Sequence, residues 1–106
     1  MSLRRDKQTD ELFKSILSLG SLEECYRYFE DLCTMKEIRD LGQRLEVARL
    51  LAQGSSYVRA GEATGASSAT IGRVKRCLDY GSGGYGLILK RLEDSGIEAE
   101  QETMAE

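Results

Sequence analysis

The sequence has no histidine and only three cysteines among its 106 residues. Without histidine, the usual catalytic triads and most catalytic zinc sites are excluded. Cys25, Cys33 and Cys77 have no CxxC spacing and follow no signal peptide, so we interpret them as reduced, partly buried thiols of a cytoplasmic protein. No apolar run approaches the ~20 residues that a membrane span needs. These absences, with no phosphate loop and no metal-ligand spacing, argue against an enzyme and predict no cofactor and no metal.

The formal net charge of −3 conceals an uneven distribution. Residues 91–106 carry a net charge of −5, and the other 90 residues carry +2. The segment 39–76 alone carries +4. A basic centre is compatible with a nucleic-acid partner. The acidic tail is predicted to be disordered, and it either solubilises the chain or folds over the basic centre and competes with DNA.

Apolar residues recur at helical spacing in six segments, and no segment has a strand pattern. Thr9 is predicted to cap a first helix that runs to about Leu19. Capping-box matches at 21–24 and 34–37 open the second and third helices, and the third is the longest. A flexible glycine-rich break at 81–84 precedes the sixth helix. The sequence therefore predicts an all-α fold with six helices.

The predicted layout is a frayed terminus at 1–8, a helical domain over 9–93 and the acidic tail at 94–106. The first, second and sixth helices carry more apolar surface than one small domain would hide. Isolated helices of this length are marginal in water, so their apolar sides must be buried against something. A homodimer would bury them, and a compact monomer is the alternative.

Residues 56–79 have the pattern of a helix-turn-helix. Ser56 is predicted to cap its first helix, Gly65 to end that helix in the left-handed conformation, and Ser67 to cap the second. Gly61 lies inside the first helix, where a small residue lets the two helices approach closely. One face of the second helix is predicted to be apolar, with residues at spacings of three and four: Ile71, Val74 and Leu78.

The second helix of this motif has features that suit the DNA major groove. Short polar residues crowd its amino-terminal end, where bulky side chains would clash: Ser67, Ser68 and Thr70. Basic residues that suit phosphates follow them: Arg73, Lys75 and Arg76. The alternative is an ordinary helical hairpin with a solvated basic face.

Three longer segments make the pattern more specific than a generic helix-turn-helix: EECYRYFEDLCT, LGQRLEVARLL and TGASSATIGRVKRCLDYG. With them, the chain resembles the bacterial tryptophan-repressor superfamily, and its YerC/YecD branch most closely, over about residues 8–92. The resemblance implies a DNA-binding transcription regulator, most simply a repressor, associated with the nucleoid. It also implies an intertwined, all-helical homodimer in which each protomer presents one helix-turn-helix.

The resemblance places a set of residues opposite DNA: Tyr57, Val58, Gly61, Ser68, Ala69, Thr70 and Gly72. Val58 and Gly61 replace basic residues of the repressor, and Gly72 replaces a threonine. The operator is therefore expected to differ from the tryptophan operator. Lys75 and Arg76 add charge that the repressor lacks nearby, and they are expected to contact phosphates instead.

The co-repressor pocket of the family is only partly kept. Thr34, Arg44 and Arg73 match its threonine and two arginines, and Cys77 replaces its serine with a weaker hydrogen-bonding group. Val74 replaces the glycine that leaves room for the indole, so a β-branched side chain is expected to fill the slot and to exclude tryptophan. The arginines then serve a smaller anionic ligand, or they are structural and pair with carboxylates such as Glu46 or with helix ends.

The leading prediction is thus a sequence-specific, dimeric regulator of double-stranded DNA that does not depend on tryptophan. Two alternatives stay open. The chain could be a protein-interaction module that retains the fold without binding DNA, or a repressor whose altered pocket responds to an unknown effector.

Overall fold

The computed structural model describes residues 3–95, and they form six α-helices and no strand. The helices are α1 (Lys7–Leu17), α2 (Leu22–Leu32), α3 (Met35–Ala52), α4 (Tyr57–Thr64), α5 (Ser68–Tyr80) and α6 (Gly84–Ser95). This confirms the predicted all-α class. Within the described range, no helix is both long and apolar enough to span a bilayer. The acidic tail from residue 96 onward lies outside the described residues, and residues 94–95, which were predicted to belong to it, are the last two of α6.

The chain divides into an amino-terminal unit that ends at Ile38 and a carboxy-terminal unit that begins at Arg39. The first helix of the amino-terminal unit begins three residues earlier than predicted. Asp6, and not Thr9, is its N-cap: a carboxylate oxygen of Asp6 accepts the backbone N–H of Thr9 at 2.8 Å. That hydrogen bond lowers the pKa of Asp6. A carboxylate is both a strong acceptor and a favourable charge at a helix N-terminus, so it caps α1 ahead of the threonine hydroxyl.

Of the two predicted capping boxes, the one at α3 is complete and the one at α2 is formed in part. The Thr34 hydroxyl accepts the N–H of Glu37 at 3.1 Å, while the Glu37 carboxylate accepts the N–H of Thr34 at 2.8 Å. At α2, the Ser21 hydroxyl accepts the N–H of Glu24 at 3.1 Å, but the Glu24 carboxylate accepts the N–H of Gly20 instead. Both boxes satisfy backbone donors that would otherwise lack partners at the start of a helix.

Apolar side chains of the amino-terminal unit remain exposed to solvent. None of its described residues is buried, although Ser15 and Tyr28 share a 2.6 Å hydrogen bond between α1 and α2. The exposed large apolar side chains on α1, α2 and the first turn of α3 are Leu12, Phe13, Leu17, Leu22, Tyr26, Leu32 and Met35. An amino-terminal unit of this kind has no hydrophobic core of its own.

The core lies in the carboxy-terminal unit and draws on α3, α4 and α5. Its buried members are Val47, Ala48, Leu51, Ala60, Ile71 and Val74. Ala66, Leu78, Tyr85 and Leu89 pack against it from the turn, α5 and α6. This cluster orients α4 and α5, because each of the two helices inserts at least one fully or nearly fully buried side chain into it.

Candidate nucleic-acid interface

The turn between α4 and α5 is held by backbone and side-chain hydrogen bonds. Gly65 caps α4 with a φ of 74°, and its N–H donates to the carbonyl of Gly61 at 2.8 Å. The Thr64 hydroxyl donates to the carbonyl of Ala60 at 2.7 Å and accepts the N–H of Ala66 at 3.1 Å. The left-handed conformation is the one that glycine adopts without a Cβ penalty, as predicted for Gly65.

A side chain of α3 braces this turn. The amide nitrogen of Gln43 donates to the carbonyl of Thr64 at 3.1 Å. That carbonyl belongs to the last turn of α4, where helix geometry leaves it without an intrahelical partner. The sequence pattern did not identify Gln43, because its partner lies 21 residues away and shares no local motif with it.

Gly61 lies at the contact between the two helices of the motif. A Cβ built on Gly61 would lie 3.4 Å from Cδ1 of Ile71 and 3.6 Å from the carbonyl oxygen of Ala66. The position therefore faces α5, which agrees with its predicted role as a point of close approach. A side chain at residue 61 would therefore point toward α5 and not toward DNA on the outside of the motif.

Two serines cap the helices of the motif. The Ser56 hydroxyl accepts the N–H of Arg59 at 3.1 Å, and the Ser67 hydroxyl accepts the N–H of Thr70 at 3.2 Å. The Ser67 hydroxyl also donates to the Thr70 hydroxyl at 3.1 Å. Ser67 was predicted to cap α5 and to bind DNA, and in this structure its hydroxyl is engaged within the helix end.

The face of α5 opposite its buried residues forms an outward ridge. Helical spacing places five residues there, which we call the reader ridge: Ala69, Gly72, Arg73, Arg76 and Tyr80. Ala69, Arg73 and Arg76 are exposed, and a Cβ on Gly72 would meet nothing within 4 Å. The ridge is small and uncharged in its first half and cationic in its second half. Tyr80, 86% exposed, ends it and was not predicted.

The cations of α5 differ in how they are paired. The ammonium of Lys75 lies 3.3 Å from a carboxylate oxygen of Asp79, one turn later on the same helix. In the described part of the chain, no carboxylate lies within ion-pair distance of Arg73 or Arg76. Arg73 and Arg76 are therefore available to an external anion, whereas Lys75 can bind one only if its ion pair with Asp79 breaks. This pair could have been identified from the sequence, because the two residues lie four positions apart on one helix.

The first turn of α4 presents two exposed side chains, Tyr57 and Val58. Tyr57 directly follows the Ser56 cap in the chain, at the entry of the motif. Val58 is 73% exposed, so it belongs to the surface of α4. Only Ala60 of α4 is buried, because this eight-residue helix contacts the core through a single turn.

The residues of the predicted ligand pocket lie in different surroundings. Val74 is 1% exposed and belongs to the core cluster, whereas Arg73 and Cys77, its neighbours on α5, are exposed. Cys77 was expected to be partly buried, but it lies away from the core-facing side of α5. Arg44 is half-buried on α3, and the Thr34 hydroxyl is engaged as the N-cap described above.

Glu46, which was suggested as one structural partner for Arg44 or Arg73, pairs with a different arginine. Both carboxylate oxygens of Glu46 bind the guanidinium of Arg49, one turn later on α3. Spacing of three along a helix brings these two side chains together, and the two-pronged geometry of arginine matches the carboxylate. Among the described residues, no carboxylate lies within ion-pair distance of Arg44.

Comparison with known proteins places this architecture in a family. The sequence pattern of the family described as Trp repressor protein matches residues 7–93, which is nearly the whole described chain. An uncharacterised protein of Bacillus subtilis strain 168, YerC, is 56% identical over 95 residues, which cover 90% of this chain and 91% of YerC.

Two crystal structures have a similar fold. One is of a protein from Staphylococcus aureus described as a candidate Trp repressor, with a TM-score of 0.82 and 49% identity, covering 84% of this chain and 89% of that one. The other is a TrpR-like protein from Eubacterium eligens ATCC 27750, with a TM-score of 0.82 and 47% identity, covering 84% of this chain and 92% of that one.

Proposed function

From the premise that this chain belongs to the Trp repressor protein family, we propose that it is a DNA-binding transcription regulator that reads the major groove with α5. The family is one of regulators and not of enzymes. The observation that carries the proposal is the reader ridge on α5. Hydrogen bonds fix the caps and the turn of its helix-turn-helix, and the core cluster fixes the orientation of α4 and α5.

The ridge suits a helix that enters a groove by its amino-terminal end. Such a helix contacts base edges with its first turns, where Ala69 and Gly72 leave room for close approach. Arg73 and Arg76 follow one and two turns after Ala69, where phosphates flank the groove. They have no competing carboxylate in the described chain, so their full charge is available to neutralise phosphate.

We propose that the active species is a homodimer. The apolar side chains on α1 and α2 are exposed in the single chain, and an eleven-residue helix is not stable in water by itself. Burial against a second copy would remove this apolar surface from water. It would also present two α5 helices to half-sites about one DNA turn apart, roughly 34 Å.

We propose further that DNA binding does not require tryptophan. Val74 is part of the core cluster with Ile71, and Leu78 packs against that cluster. At this position the tryptophan repressor has the glycine that leaves room for the indole, whereas the side chain of Val74 is already packed in the core. A repressor whose altered pocket responds to an unknown effector is the alternative. The site of action is the nucleoid, in the cytoplasm.

The test is selection of sheared genomic DNA by the purified protein, with and without L-tryptophan. Enrichment of a palindromic sequence in both conditions is the expected outcome. Enrichment only with tryptophan would overturn the assignment of Val74, and would make the protein a tryptophan-dependent regulator. If neither condition enriches any sequence, the same selection is repeated with pooled metabolites to search for another effector.

The alternative of a protein-interaction module makes the opposite prediction. It requires that the protein shows no salt-dependent binding to duplex DNA of any sequence. Gly72, which offers no side chain to a base, is the observation that favours it. Salt-dependent binding that is weakened by loss of Arg76 would rule the alternative out.

A further inference from the structure

The chemistry of the first half of the reader ridge restricts how it can recognise bases. Long side chains that form two hydrogen bonds with one base, such as arginine on guanine or glutamine on adenine, are absent between residues 67 and 72. The polar side chains there are the hydroxyls of Ser67, Ser68 and Thr70. A hydroxyl both donates and accepts, so it fits several base edges and distinguishes them poorly.

The structure further reduces the number of hydroxyl groups that are free to bind a base. The Ser67 hydroxyl accepts the N–H of Thr70 and donates to the Thr70 hydroxyl, so both of its roles are used inside the helix end. Thr70 is half-buried and already accepts one hydrogen bond. Ser68 is exposed, but it lies about 100° around α5 from Ala69. The outermost side chain of this turn is therefore the methyl group of Ala69.

A methyl group recognises one feature of the major groove. The C5-methyl group of thymine is the apolar group on the major-groove edges of the four base pairs, and small apolar side chains contact it. We infer that Ala69 is a specificity-determining residue that contacts a thymine methyl group in each half-site. The inference rests on the proposed function, and it names the DNA feature that the same surface selects.

Gly72 extends this recognition surface. Helical spacing puts residue 72 on the ridge one turn after Ala69, and no atom fills the space where its Cβ would be. The backbone of α5 can therefore approach the floor of the groove at this point. Close approach is needed for a side chain as short as alanine to touch a base.

The experiment uses the duplex that the protein selects from genomic DNA. Each thymine of one half-site is replaced in turn by deoxyuridine, which keeps every hydrogen-bonding group and removes only the methyl group. Loss of one buried methyl contact is expected to weaken binding about fourfold at one thymine of the half-site. Replacement of thymines outside the selected sequence should leave the affinity unchanged, which provides the internal control.

Two protein variants assign the contact. In Ala69→Gly the ratio of affinities for the thymine and deoxyuridine duplexes should fall to about one, because the partner methyl is gone. Ala52→Gly removes a methyl from an exposed position at the end of α3 and should keep the wild-type ratio. Because each ratio compares two duplexes with one protein, a change in the stability of the variant cancels.

The outcomes separate this inference from the proposed function. A selected duplex that binds equally well with thymine or deoxyuridine, or a selected half-site without thymine, overturns the inference and leaves DNA binding intact. Discrimination that persists in Ala69→Gly overturns the assignment to Ala69. Failure to bind any duplex overturns the proposed function and this inference together.

Discussion

Two valines of the motif carry the same side chain in opposite surroundings, and they provide a direct test of the core. Val74→Ala should lower the free energy of unfolding by about 2 kcal/mol, because it removes buried methyl groups and leaves a cavity beside Ile71. Val58→Ala should change it by less than about 0.5 kcal/mol, since Val58 is exposed. Urea unfolding at one protein concentration measures both. Similar losses in the two variants would contradict the assignment of Val74 to the core.

Two glycines offer a second matched pair at the scale of the residue. Gly65→Ala should destabilise the protein by about 1 kcal/mol, because its φ of 74° places a Cβ in the unfavourable left-handed region. Gly72→Ala should stabilise it by about 1 kcal/mol, because Gly72 is inside a helix and its Cβ would meet nothing. Thermal unfolding followed by circular dichroism distinguishes the signs. Destabilisation by Gly72→Ala would show that the space beside it is occupied.

The reader helix is predicted to depend on Arg76 for phosphate contact. Arg76→Ala should weaken binding to all duplexes and flatten the plot of log affinity against log salt by about two units for the dimer, since each of its two Arg76 phosphate contacts releases about one counterion. Arg91→Ala removes the same charge from an exposed position of α6 and is the matched control. Filter binding between about 50 and 200 mM salt gives both slopes. An unchanged slope in Arg76→Ala would remove Arg76 from the phosphate contacts.

At the start of α3, the capping box predicts an acid-sensitive contribution to stability. The Thr34 N–H holds the pKa of Glu37 below its ordinary value in the folded chain. A lowered folded-state pKa stabilises the fold above the unfolded pKa of about 4.3, and this contribution is lost as the pH falls through the lowered value.

Glu37→Gln keeps the hydrogen-bonding shape of the box and removes the charge. The stability difference between the wild type and Glu37→Gln should therefore be largest at neutral pH and should shrink in acid. Urea unfolding at several pH values from about 3 to 7 measures this difference. A difference that is the same at every pH would contradict a role for the ionised carboxylate.

The whole molecule is predicted to depend on a second copy. Leu17 is 82% exposed in the single chain, so Leu17→Glu should cost a monomer almost nothing. In a dimer that buries the amino-terminal helices, the same change should raise the dissociation constant by at least tenfold, because it places a charge in an apolar interface. Val58→Glu changes a similarly exposed apolar residue on α4 and should leave the dimer intact. Sedimentation equilibrium of the three proteins decides between these outcomes.

Local sequence signals determined most of what could be predicted about this chain. The capping boxes, the glycine at the end of α4 and the spacing of Ile71 and Val74 act over three to five residues, so their geometry follows from the sequence itself. The same holds for the six helices and the helix-turn-helix. The N-cap of α1 was misassigned because two suitable residues, Asp6 and Thr9, lie three positions apart and only one can cap.

Tertiary structure decided which chemically similar groups face solvent, the core or each other. It buried Val74 and exposed Val58, and it placed Gln43 against the turn of the motif. It also left Arg73 and Arg76 without the kind of carboxylate partner that Asp79 provides to Lys75. Amino-acid type and spacing specify the local backbone, but burial and pairing depend on which helices pack together. That packing minimises the exposed apolar area of the whole unit, so no short segment contains the information.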